Sequence, residues 1–125
     1  MPNKMARIGT HAVVAVMLAA TGARAGEIDD AHRQALSGRD TYWNCLAQEY
    51  SQDRNKSMSE PDFTQHIAGV CPSERQYFRV ALVNYLTVQF PDRDTDDHMT
   101  TANRAIALAQ QDIVTAFIRH NQASK

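Results

Sequence analysis

Glycine is scarce in this chain, at five in 125 residues, and from residue 26 onward only Gly26, Gly38 and Gly69 remain. Phosphate-cradling loops and nucleophile elbows need closely spaced glycines, because the backbone must turn sharply or approach a ligand. Neither pattern is present. Basic runs are missing too. Once Lys4, Arg7 and Arg24 are set aside with the first 25 residues, 10 basic side chains face 14 acidic ones, a net charge of −4. That balance lacks the electrostatic footprint of a nucleic-acid binder and disfavours anionic membrane surfaces. The histidines are scattered, with no H-E-x-x-H and no i, i+4 pair, and the two cysteines form no C-x-x-C. No cofactor or metal centre is expected, and the chain reads as a non-enzyme, since small helical domains without convergent polar groups seldom host catalysis.

Long apolar runs are also short of what a membrane demands. The densest, Ala12 to Ala20, cannot cross ~30 Å of hydrocarbon. It follows Lys4 and Arg7 and precedes the small-residue sequence Ala23-Arg24-Ala25, the layout of a secretory leader with its cleavage site. Residues 1–25 are therefore expected to be a signal peptide and residues 26–125 a single helical domain. The expected location is secreted, periplasmic if the source is bacterial. No cysteine lies near the cut to carry a lipid anchor.

Cys45 and Cys71, an even pair in an exported small domain, are expected to form a structural disulfide. What surrounds them is helical. From Glu27 to about Gln52, Ile28, Ala31, Ala35, Tyr42, Leu46 and Tyr50 recur at helical spacing, with a weak point at Ser37-Gly38. A polar loop follows. Ser59 and Pro61 suit the start of a short second helix with Phe63, Ile67 and Val70 on one face. Ser73 to Gln76 reads as a capping box opening a third helix to Phe90, apolar round most of its circumference and so expected in the middle of the bundle. A fourth helix, about Asp97 to His120, turns Met99, Ala102, Ile106, Ala109, Ile113, Ala116 and Phe117 inward. The fold class is all-α: a small bundle of about four helices held by one disulfide, after a cleaved signal peptide.

Few residues are surplus to folding. Ala107, Val114 and Ile118 form a second apolar stripe on the fourth helix, a candidate partner or dimer surface. Tyr42, Trp43 and Tyr50 share the core period of the first helix and are expected to pack rather than line a groove. Asp92, Asp94 and Asp96 match the first ligand positions of a calcium loop, but Asp97 stands where Gly is needed and Asn103 where a bidentate Glu is needed. A helix cap is the stronger expectation there. Asn55-Lys56-Ser57 is a glycosylation sequon in a loop, and His66 flanks the Phe63/Ile67 stripe.

The stretch YWNC, with a second cysteine near a helix start, is similar to a feature of acid-stress periplasmic chaperones. It covers a handful of residues, with much shorter cysteine spacing, and assigns no family. The expected function is protein binding, as an accessory, inhibitor or immunity-type protein. An acid- or stress-responsive chaperone and a small apolar-ligand carrier are the alternatives. The expected partner is an unidentified envelope or extracellular protein, with a homodimer as the other option.

Overall fold

The computed structural model describes residues 13–123, with side chains from Arg24 onward. Residues 1–12 of the expected leader lie outside the described residues, as do the side chains of residues 13–23. The described residues fold as four helices: α1 (Val13–Tyr50), α2 (Glu60–Gly69), α3 (Pro72–Gln89) and α4 (Thr95–Ala123), with a 3-10 turn at Asp53–Asn55. This is the expected all-α bundle, and the disulfide joins Cys45 of α1 to Cys71 at the start of α3. Among the described residues no helix is long and apolar enough to cross a membrane.

α1 begins earlier than the apolar stripe implies. No proline interrupts residues 13–50, and alanine-rich sequence continues a helix at little cost. Nor does it break at Ser37-Gly38. A Cβ on Gly38 would sit 3.0 Å from the Phe78 Cα and 3.4 Å from the Tyr77 ring. The missing side chain is what lets α1 and α3 approach so closely. Gly38→Ala sets two effects against each other: about 1 kcal/mol gained in helix propensity, and roughly 1–3 kcal/mol lost by overpacking against backbone that has no rotamer to yield. Overpacking wins. The variant is expected to be less stable by up to about 2 kcal/mol in urea melts, and Gly38→Val less stable still; an increase in stability for the alanine variant would refute the close-approach role.

Local signals place the remaining starts. Ser59 Oγ accepts from the Asp62 amide, with Pro61 in the first turn of α2. Asp94 Oδ1 accepts from the Asp97 amide and caps α4, while Asp96 and Asp97 face the positive end of its dipole. The capping box at Ser73 does not form. Pro72 has no amide hydrogen to satisfy and opens α3 itself, so the cap position falls on Cys71 and Ser73 is already inside the helix. Cys71 takes a left-handed conformation, φ 56° and ψ 48°, to turn the chain from α2 into α3.

The most extensive packing is of α1 on α3, which run antiparallel; α4 lies against both, and α2 packs on α4. Tyr42, Leu46, Phe63, Ile67, Ile113 and Phe117 form the innermost core. α3 is not enclosed as its composition suggests. Phe78, Ala81 and Leu86 are buried, but Tyr77 and Val80 face solvent. With only ten residues, α2 is too short to wrap the bundle and spends its apolar face on α4.

Candidate functional site

α1 and α4 run parallel, and their register is fixed by two contacts. The Gln110 amide donates to the Tyr42 hydroxyl at 2.9 Å, and the Tyr50 and His120 rings meet edge to face at 5.7 Å. Midway along the outer side of this pair, a depression of about 520 Å³ is lined by residues of α1 and α4. There Trp43, the sole tryptophan of the chain, sits with Arg39, Asp40, Asn44 and Asp112. Leu36 lies two turns before Trp43 on α1, and Leu108 one turn before Asp112 on α4. The three apolar side chains are 36%, 40% and 55% exposed for Leu36, Trp43 and Leu108. Arg39 donates to Asp40 at 3.0 Å. The result is an apolar strip with an aromatic residue and charges of both signs, features that recur in surfaces contacting other macromolecules.

A second polar cluster closes the other end of the bundle. The Asn55 side chain, 1% exposed, donates to the Glu49 carbonyl at 2.8 Å and to its carboxylate at 2.9 Å. His66 Nε2 of α2 stands 3.1 Å from the same carboxylate oxygen, and Arg54 approaches it at 3.6 Å. A carboxylate only accepts, so Nε2 carries the proton. Burial pushes the Glu49 carboxyl up. The hydrogen bonds from His66 and Asn55, with the charges of His66 and Arg54, outweigh burial and hold it below the ordinary glutamate value. One carboxylate oxygen is thus shared by donors from the loop and from α2. It clasps α2 to the end of α1.

The depressed carboxyl fixes the sign of a pH dependence. Its contribution is complete above the usual glutamate pKa of about 4.3 and is lost as pH falls through the lower folded value. Wild-type melting temperature should hold from pH 7 to 5 on this account and fall below about pH 4. Glu49→Gln is expected to cost roughly 1–2 kcal/mol at pH 7 and to flatten the acid limb. Parallel melting curves for the two proteins across pH 3–7 would show that Glu49 is not the group responsible.

Comparison with protein-family models, curated proteins and solved structures finds no match. The reading therefore rests on the placement of residues. Of the candidate stripe on α4, only Ala107 is exposed; Val114 is 9% exposed and Ile118 packs against the core, because α2 lies over that side. The stripe is not an open surface. Of the aromatic trio, Tyr42 is fully buried and Tyr50 packs on the core, but Trp43 is turned outward. Asp92, Asp94 and Asp96 are all exposed and form no convergent ligand set among the described residues. The one such grouping, Cys45, Cys71 and Glu74, has both sulfurs spent on the disulfide. Asn55 is buried and hydrogen-bonded, so the sequon does not present a free amide for glycosylation.

Two features carry little or no periodic signal in the sequence. The Glu49 clasp joins residues 6 and 17 positions apart. The other is His98 in the first turn of α4, 3% exposed with no hydrogen-bond partner at Nε2. Its spacing from Ala102, one turn on, is the only hint that it faces inward.

Proposed function

We propose that this chain is an exported protein, periplasmic in a bacterium, that acts by binding another protein through the α1–α4 seam, as an accessory, inhibitor or immunity-type component. The observation that carries the reading is Trp43, 40% exposed and flanked by exposed Leu36 and Leu108. Tryptophan is enriched among the residues that dominate binding energy, and here it shares an exposed face with Leu36 and Leu108. The disulfide supports an oxidising compartment, and the leader-like residues 1–25 support export.

Two other readings are weaker on magnitudes. An acid-triggered chaperone needs protonation of Glu49 to release α2, yet α2 also buries Phe63 and Ile67 completely. Each such side chain stabilises by about 1.5–3 kcal/mol, more together than one shared carboxylate contributes. A carrier of apolar ligands needs an enclosed cavity, whereas the depressions beside Trp43, beside Val80 and Val83, beside Ala107 and Val114, and beside Arg75 and Asn103 all open onto solvent. The test is affinity capture from envelope extract with wild type, Trp43→Ala and Tyr77→Ala, the last on the opposite flank. A near-stoichiometric partner at pH 7, kept by Tyr77→Ala and lost by Trp43→Ala, supports the proposal. Equal capture by all three overturns the seam, and many clients held only near pH 4 would favour the chaperone.

A further inference from the structure

The charges along the α1–α4 seam are arranged in a way that singles out one occupant. On α1 the order is Leu36, Arg39, Asp40, Trp43; on α4, at intervals of four residues, it is Arg104, Leu108, Asp112. The register set by Tyr42 with Gln110 and by Tyr50 with His120 places Arg104 level with Leu36 and Leu108 level with Arg39 and Asp40. Asp112 is level with Trp43, beside which it lines the depression. Each helix is therefore antisymmetric about the same height. Reversed end for end about a point between Arg39 and Asp40, the α1 sequence sets Leu36 on Trp43, and Arg39 on Asp40. Reversed about Leu108, the α4 sequence sets Arg104 on Asp112.

We propose that the seam is the interface of a two-fold symmetric homodimer in which a second copy packs antiparallel across it. This rests on the reading of the seam as a binding surface and names its occupant when the partner is absent; a partner docks there by displacing the second copy. In an isologous contact the same patch meets itself, so the patch must be self-complementary about the axis. A two-fold axis passing between Arg39 and Asp40 and over Leu108 satisfies that in every row. The outer rows join the Leu36 of one copy to the Trp43 of the other. Beside them, Arg104 of each copy faces Asp112 of the other. Near the axis Arg39 pairs with Asp40 across the interface, replacing the pair each copy makes internally. Leu108 meets its own counterpart. An unrelated partner would require no such inversion of sign and size within one patch.

Within a single copy Arg104 and Asp112 stand two turns apart, beyond i, i+4 pairing reach, so their coupling reports on a second chain. Residues 26–125, oxidised, are examined by sedimentation equilibrium from micromolar to millimolar concentration at 0.05 and 0.5 M salt. A dimer with dissociation constant on the order of micromolar is expected, since three apolar anchors per copy form a small interface. Trp43→Ala should weaken it by at least about 30-fold, the loss of one dominant anchor, with helix content by circular dichroism unchanged. Arg104→Asp and Asp112→Arg should each weaken the dimer, and the double exchange should restore it. A protein that stays monomeric at millimolar concentration overturns the dimer, and so does a dimer indifferent to all these changes. Capture of another protein that Trp43→Ala abolishes would survive either result, which separates this proposal from the one it rests on.

Discussion

Reducing the Cys45–Cys71 bridge is expected to lower the melting temperature by roughly 15–25 °C. The bridge spans 26 residues, and closing such a loop in the unfolded chain is worth about 3.5 kcal/mol in the chain-entropy account. For a domain of this size the total stability is on the order of 5–15 kcal/mol, and each kcal/mol moves the midpoint by about 4–8 °C. Cys71 also takes a left-handed conformation that ordinary residues avoid, imposed by the turn from α2 into α3, at a cost of about 1–2 kcal/mol. That cost persists after reduction. In a Cys45→Ser background, Cys71→Gly should therefore be more stable than Cys71→Ser, because glycine adopts that backbone freely. Thermal melts with and without a reductant, and of the two double variants, check both statements. A midpoint shift of only a few degrees on reduction would mean that the helices alone fix the chain.

The same elements show what the sequence discloses and what it hides. Ala31, Ala35, Tyr42 and Leu46 on α1, and Ala102, Ile106, Ala109, Ile113 and Phe117 on α4, are buried as their spacing requires. Helical period reports directly which side chains share a face. It does not report how many neighbours that face meets. α3 is apolar nearly all round, yet Tyr77 and Val80 are exposed because α2 ends after ten residues and packs elsewhere. Trp43 fails for a related reason. It lies a quarter turn or so from Tyr42, inside the apolar arc of the sequence but beyond the narrower arc that α3 and α4 cover.

Capping signals compete, and proline decides between them. Ser73 with Gln76 is a valid box in isolation. Pro72 preempts it by starting the helix one residue earlier, and Gln76 accepts from Arg79 instead. The polar contacts were the least legible part. Glu49, Asn55 and His66 come from a helix end, a turn and a separate helix, and no period links them. Their burial follows from the course of the chain after the core is built. The candidate seam was half-legible. Its aromatic residue was visible in the sequence but assigned to the core, and the alignment of Arg104, Leu108 and Asp112 beside it depends on the register of α1 against α4.

Phe63→Ala is expected to have the other large effect, and a local one. Phe63 is fully buried and stacks on Phe117 with ring centres 3.8 Å apart and planes 11° from parallel. Truncating such a side chain costs about 3–5 kcal/mol, through lost transfer energy and the cavity left behind. α2 has ten residues, shorter than the roughly 12–15 an isolated helix needs to persist in water. Its order is borrowed from Phe63, Ile67 and the Glu49–His66 contact. α1 and α3 are joined by the disulfide and by the close approach at Gly38, and need nothing from α2. Amide hydrogen exchange should therefore lose about two to three orders of magnitude of protection in α2, with much less lost in α1 and α3. Phe78→Ala, which removes the core contact between α1 and α3, should instead lower protection throughout. If Phe63→Ala lowers protection equally in all four helices, α2 is not a separable unit but part of one cooperative core, and releasing it without unfolding the domain is ruled out.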